Sequence, residues 1–276
     1  MKQGCIIFAY NGHIDYGSQA VLAAGLVIKH LNIPVSLITD QSTLGKIGNP
    51  SIFEHVIIQE NKSANTRNLH NGPDVITKID FNNTNRSSVY KLTPYDRTLV
   101  IDSDFLVFSS RLTTYLDCDQ DFLICSSMQD LYPNRPGSSV LLAPSSIPML
   151  WATNMIFNKT KEVEILFNLI EHIRDNWIYY SALYKFNSAR YRNDYAFSIA
   201  CHIMGGHGLD KFYTELPAPI LFTDKDKLVK ISECGSLTFL MSFNEGRLAK
   251  THGQDIHMMN KYDILDNIDQ LTDLSQ

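Results

Sequence analysis

The sequence has few cysteines, no long apolar run and no excess of basic charge, and each lack narrows what it can be. Five cysteines (Cys5, Cys118, Cys125, Cys201 and Cys234) are scattered over 276 residues. No two stand in C-x-x-C spacing, which excludes a zinc ribbon or dithiol redox site and predicts reduced, mostly buried thiols. No stretch approaches the roughly 18 consecutive apolar residues of a membrane span. The apolar run of residues 4–8 is too short for a signal peptide and has no small-residue cleavage site. A cytoplasmic chain is expected. The net charge is −5, with pI near 6.0. A chain that wraps nucleic acid carries a basic balance or stripe, so a broad nucleic-acid footprint is disfavoured, although Lys185, Arg190 and Arg192 form a local basic cluster. Repeats and low-complexity linkers are also lacking. With 44% hydrophobic residues, enough for one large core, a single domain over residues 1–276 is expected.

What is present alternates strands with helices. Residues 5–10 are a short Ile- and Phe-rich run that suits a fully buried parallel strand. Residues 18–31 place Val21, Leu22, Leu26 and Ile28 at helical spacing, and Asn32-Ile33-Pro34 ends the pattern. Residues 35–39 form the next strand, which stops at Asp40. A β-α-β unit of this length implies a parallel crossover. Further strands are expected at 55–58, 99–101, 122–125 and 151–158, and helices over 162–176, 193–204 and 263–274, with a short helix closing at 89–94. Residues 59–73 read as a polar stretch, and 129–139 as a long loop. The fold class is α/β, with a mostly parallel central sheet flanked by helices. In such sheets ligands sit beyond the carboxyl ends of the strands. Tyr10-Asn11, Asp40 and Asp102-Ser103-Asp104 occupy three of those ends.

Two carboxylates at i and i+2 directly after a buried strand can converge on one point at a sheet edge. Alone they repel, and one would tend to hold a proton. A hard divalent cation relieves this by taking an oxygen from each while keeping positions for water and substrate phosphates. Leu99-Val100-Ile101 before the pair and Phe105-Leu106-Val107-Phe108 after it make uncompensated charge costly. Asp102 and Asp104 are therefore predicted to hold Mn²⁺ or Mg²⁺, a cation able to neutralise a leaving diphosphate.

The stretch from Val89-Tyr90-Lys91 through Tyr95-Asp96-Arg97 to Leu99-Val100-Ile101-Asp102-Ser103-Asp104 resembles the D-x-D signature of GT-A-fold (Rossmann-like) nucleotide-sugar glycosyltransferases. The likeness covers roughly residues 4–110 and is patchy beyond. It implies a nucleotide-binding half at about 1–110 and a sugar and acceptor half at about 111–276. It also implies transfer from a nucleoside-diphosphate sugar, UDP-linked, to a hydroxyl on a glycan or a hydroxymethylated DNA base. By the same resemblance Ala9, Tyr10, Asn11 and Asp40 would contact the nucleotide, and Ser103 lies inside the motif. Lys91 and Lys261 would face the diphosphate. Asn154 would hydrogen-bond donor hydroxyls, and Asp194 would contact the sugar or act in catalysis. His257, four residues before Lys261, would be the third metal ligand, with His252 a competitor because the family's H-x-x-G-x-x-K pattern is not matched letter for letter.

Three other readings compete. A haloacid-dehalogenase-like phosphohydrolase also uses h-h-h-D-x-D, but on its first strand and with a later Asp-Asp pair that this sequence lacks. A nucleotidyltransferase wants a basic glycine-rich loop after the first strand, where Asn11-Gly12-His13-Ile14-Asp15-Tyr16-Gly17-Ser18 has no Lys or Arg. A non-catalytic nucleotide-sugar-binding module would share the fold without the activity.

Overall fold

Strand β1 (Gln3–Ala9) is buried almost end to end, because the chain gives it a neighbour on each side and helices on both faces. The computed structural model describes residues 1–60, 65–71, 75–80, 83, 85–131, 141–143, 146–185, 190–232, 234–242 and 246–275. Helix α1 (Tyr16–Leu31) leads to β2 (Val35–Thr39), α2 (Gln41–Leu44) and β3 (Val56–Ile58). A hairpin of β4 (Thr66–Asn71) and β5 (Val75–Asp80) follows, then a 3-10 turn at Arg86–Ser88, α3 (Val89–Leu92), β6 (Arg97–Asp102) and β7 (Phe105–Leu106). Next come α4 (Arg111–Leu116), β8 (Phe122–Cys125), β9 (Gln129–Asp130), β10 (Trp151–Asn158), α5 (Lys161–Asp175), α6 (Trp177–Leu183) and α7 (Asn193–Met204). The remainder is mostly strand: β11 (Thr214–Glu215), β12 (Ile220–Phe222), β13 (Lys227–Ile231), β14 (Ser236–Leu240), β15 (Leu248–His252) and β16 (Ile256–Met258). Helices α8 (Lys261–Asp266) and α9 (Ile268–Asp273) close it.

The central sheet has seven strands in the order β11-β8-β10-β6-β1-β2-β3. Four of its six pairings are parallel, and only β10 runs against its two neighbours. Period-two alternation divides its apolar residues between two cores. Ile6, Phe8, Val100, Met155 and Phe157 face α5 and α7, which supply Val163, Leu166, Phe167, Ile170, Phe197 and Ala200. Cys5, Ile7, Leu99, Ile101 and Ile156 face α1 and α4, which supply Ala20, Ala24, Val27, Leu112 and Leu116. This is the expected α/β architecture. Helix α1 ends as its sequence implies: Asn32 adopts a left-handed conformation (φ 54°) and donates its N–H to Ile28, a C-terminal cap that Asn tolerates better than most residues.

Smaller sheets complete the molecule, in the orders β7-β16-β12-β9, β13-β14-β15 and β4-β5. The polar stretch read at 59–73 contains the first strand of the hairpin, β4. The hairpin's few apolar residues suffice because Leu69 and Ile79 bury together against Ile14, with Tyr16, Tyr262 and Leu265 around them. The acidic terminal helix is two short helices, α8 and α9, that meet at Asn267. Residues 132–139 of the expected loop lie outside the described residues; Gln129 and Asp130, its first two, form the strand β9. No helix among the described residues is long and apolar enough to cross a membrane.

Candidate active site

The carboxyl edge of the central sheet opens into a cavity of about 440 Å³, and the strand order lays out its contents from one end to the other. At the β1 end stand Tyr10, Gly12 and His13, with Tyr16 of α1 and the hairpin residues Asn65, Thr66, Asn68 and Leu69. The end of β6 supplies Asp102, Ser103 and Asp104 in the middle. Beyond it, β10 supplies Trp151 and Thr153, and the entry to α7 supplies Arg190, Tyr191, Arg192, Asp194 and Tyr195.

Asp104 is held by its own backbone. After Asp102 the chain makes a tight turn, and β7 pairs antiparallel with β16 so that Phe105 stands opposite His257. The Met258 N–H donates to the Asp104 carbonyl at 2.8 Å. This register brings His257 to the carboxylates: its Nε2 lies 3.5 Å from Asp104 Oδ2, and its Nδ1 is 3.5 Å from Thr153 Oγ1. Ligating atoms of Asp102, Asp104 and His257 all lie within 4.8 Å of one another. Two carboxylates and one imidazole form the oxygen-and-nitrogen donor set that suits Mn²⁺ or Mg²⁺, so these residues fit the cation expected from sequence. His252 does not join them; on β15 its Nδ1 lies 3.2 Å from Ser236 Oγ.

Two cations answer the two carboxylates. Lys261, buried at the start of α8, donates to Asp104 Oδ2. Burial by itself raises the Asp104 pKa, but the charges of Lys261 and His257 outweigh it and hold the carboxyl well below the ordinary carboxylate range. Arg86, buried in the 3-10 turn, spreads its fork between Asp102 Oδ1 and the Ala152 carbonyl. Sequence reasoning missed Arg86, since a lone arginine in the polar run Asn82-Asn83-Thr84-Asn85 carries no signal.

The remaining expected residues divide. Tyr10 lines the cavity and donates its hydroxyl to Gln59 Oε1 at 3.1 Å. Ser103 lines it and is buried. Asp194 lines it too, its Oδ1 accepting from Ala152 N at 2.9 Å and its Oδ2 3.0 Å from Arg192 Nη2. Ala9 does not line the cavity; it belongs to the α1-side core. Asn11 is turned into its own loop, with Oδ1 accepting from Gly17 N and Nδ2 donating to Asp15, both at 2.8 Å. Asp40 caps α2 through Thr43 N at 2.6 Å. Lys91 stands on the outside of the molecule and pairs with Glu171 at 2.7 Å; Arg86, not Lys91, is the basic residue beside Asp102. Asn154 is 1% exposed, stands opposite Ile101 and shares with Ile156 the side of β10 that faces α1 and α4. Thr153, one residue earlier, points into the cavity instead, because alternate residues of a strand face opposite ways.

No protein-family model matches the chain, and no curated protein does. Among solved structures, it is similar to the glycosyltransferase GlyE of Streptococcus pneumoniae TIGR4, at 15% identity and TM-score 0.42 over 78% of this chain and 45% of that one. It is also similar to the galactosyltransferase LgtC in complex with donor and acceptor sugar analogs (14%, TM-score 0.47, 80% and 75%). A third is mouse xyloside xylosyltransferase 1 (9%, TM-score 0.44, 75% and 83%). This chain thus spans under half the length of the GlyE structure. The likeness is one of fold, and it extends no further at these identities.

Proposed function

We propose that this chain is a metal-dependent glycosyltransferase that moves a sugar from a nucleoside-diphosphate sugar, UDP-linked, to an acceptor hydroxyl. The observation that carries this reading is the convergence of Asp102, Asp104 and His257 with Arg86 and Lys261 in one cavity at the carboxyl edge of the sheet. Asp102, Asp104 and His257 would hold Mn²⁺ or Mg²⁺. The bound cation would neutralise charge on the departing diphosphate.

Charge bookkeeping supports the assignment. Arg86 and Lys261 already balance the two carboxylates, so a divalent cation would leave a net charge of +2 that a diphosphate matches. Both basic side chains come from rigid, buried positions, which is how fixed donors stabilise charge that develops on a leaving group. Tyr10, His13, Asn65 and Asn68 line the nucleotide end. Asp194, fixed by the Ala152 amide and Arg192, stands at the sugar end, where it is placed to contact the sugar or serve in catalysis.

The test is UDP release from a panel of UDP-sugars, with and without Mn²⁺ and with acceptors present. Mn²⁺-dependent release with sugar transfer is expected. Hydrolysis of sugar phosphates without transfer would move the reading to a phosphohydrolase, and binding without turnover to a nucleotide-sugar-binding module. Full Mn²⁺-dependent activity in an Asp102→Asn/Asp104→Asn double variant would sink it.

A further inference from the structure

We infer that the acceptor carries an anionic group, a carboxylate or phosphate on the accepting sugar, gripped by Arg190 and Arg192. This rests on the glycosyl-transfer reading above and names the substrate class of that site. Asp194, bonded to the Ala152 amide of β10 and paired with Arg192, puts this stretch over β10, on the side of β6 away from β1, and on the transfer reading an acceptor enters there.

The two arginines flank one buried residue, Tyr191, at the cavity wall. Arg192 is extended (φ −136°, ψ 143°) at the mouth of α7. Along residues 190–192 burial alternates: Tyr191 is 8% exposed and packs edge-on against Trp177, while Arg190 and Arg192 are both exposed and both line the cavity. Both arginine side chains therefore leave the backbone on the side away from the buried Tyr191. Arg192 is also held in place, its guanidinium 5.4 Å from the Tyr195 ring centre and 3.0 Å from Asp194, and Tyr195 stacks on Trp177 in turn. Half of the Arg192 side chain stays open to solvent. A guanidinium has five N–H donors in a planar fork, so the pair to Asp194 leaves capacity for an incoming anion.

The stretch of sequence that carries them is basic. Residues 176–193 contain Lys185, Arg190 and Arg192 and no Asp or Glu, in a chain of net charge −5. The patch is small, and Asp80, Asp194 and Asp224 interrupt it along the cavity wall. Binding a nucleic acid takes neutralisation of several phosphates in a row, whereas two guanidinium groups at one mouth suit a single charged substituent.

Calorimetry on the full chain with UDP and Mn²⁺ tests this, using a glucuronic-acid-terminated disaccharide, its glucose-terminated twin, a glucose-6-phosphate-terminated twin and a single-stranded DNA 12-mer. A charged twin should bind about ten- to a hundredfold tighter than the neutral one, the span of a charge-assisted hydrogen bond. Which charged twin gains more distinguishes carboxylate from phosphate. Added salt should shrink the preference, and Arg190→Glu, an exposed site whose melting temperature checks folding, should bring the ratio toward one. No difference between the twins, or an unchanged ratio in Arg190→Glu, overturns the inference. So does salt-sensitive binding of the DNA with no preference between disaccharides. UDP release under Mn²⁺ separates the two claims: release with a ratio of one defeats only the arginine clamp, whereas absent release defeats the transfer reading while the ratio still reports on the clamp.

Discussion

Lys261→Met should destabilise the protein in a way that a divalent cation repairs. The methionine keeps most of the buried stem and removes the ammonium that pairs with Asp104. Both side chains are nearly inaccessible, at 5% and 6% exposure, so solvent screening softens the loss little. Stranding a buried carboxylate by deleting its partner costs about 3–5 kcal/mol. His257 Nε2, 3.5 Å from the same oxygen, leaves the carboxylate a polar neighbour, which puts the expectation near the lower end, about 3 kcal/mol. The pH dependence follows from the depressed pKa of Asp104. A carboxylate held below its unfolded value contributes stability that is present above roughly pH 4 and lost as pH falls through the folded value. Without Lys261, burial pushes the stranded Asp104 carboxyl up, so the gap between wild type and variant should be full at pH 7 and already narrowing as pH falls to 4. Mn²⁺ restores a positive charge at the stranded carboxylate, so it should raise the variant's stability more than the wild type's. A site filled at 100 times its Kd contributes about 2.7 kcal/mol. Urea unfolding in EDTA and in MnCl₂, at pH 7 and pH 4, measures all of this. A variant as stable as wild type in EDTA at pH 7, or one that Mn²⁺ stabilises no more than wild type, would refute the reasoning.

Three further perturbations probe different parts of the argument. Arg86→Lys keeps the charge but cannot bridge Asp102 and the Ala152 carbonyl at once; kcat/KM in the UDP-release assay should fall about 10- to 100-fold with little change in melting temperature. Gly4→Ala drives a Cβ into the ring of Tyr95, whose hydroxyl is engaged by Ser36 and Glu54. The ring cannot yield freely, so denaturant melts should show a loss of about 3 kcal/mol, and the site should stay intact at permissive temperature. Asp255→Asn should behave in the opposite sense. Burial raises the Asp255 pKa despite donors from Phe108, Ser109 and Arg111's charge. The folded state therefore binds its proton more tightly than the unfolded state, and wild type loses stability as pH rises through the folded value. Asparagine keeps an Oδ1 acceptor for Phe108 N and Ser109 N without that charge. Thermal melts should find the variant at least as stable at pH 7, with its advantage gone by pH 4.

Much of the frame was legible in the sequence, because buried parallel strands and the first helix write themselves as local patterns. The Ile- and Phe-rich first strand, the Asn32-Pro34 stop and the Leu99-Val100-Ile101 run into Asp102-Ser103-Asp104 each reflect burial or backbone preference within a few residues. Asp194 at the mouth of a helix was readable for the same reason. The hairpin β4–β5 left only a weak trace, the turn-prone Asn71-Gly72-Pro73-Asp74 before Val75-Ile76, because its strands are mostly polar and Leu69 and Ile79 are its buried apolar residues among those described.

By itself, then, the sequence determined the α/β class, the strand that carries two carboxylates and the place where they leave the core. Only the tertiary structure decided which side chains meet them. His257 rather than His252 reaches Asp104 because β7 pairs with β16 in one register and not another. Arg86 rather than Lys91 reaches Asp102 because the chain turns between them, sending Lys91 outward to Glu171. Thr153 rather than Asn154 faces the cavity because a strand reverses its side chains at every residue. In each case the candidates lie one to five residues apart in sequence. Composition and spacing cannot separate them, since the choice depends on direction, and pairing between distant strands and turns sets direction.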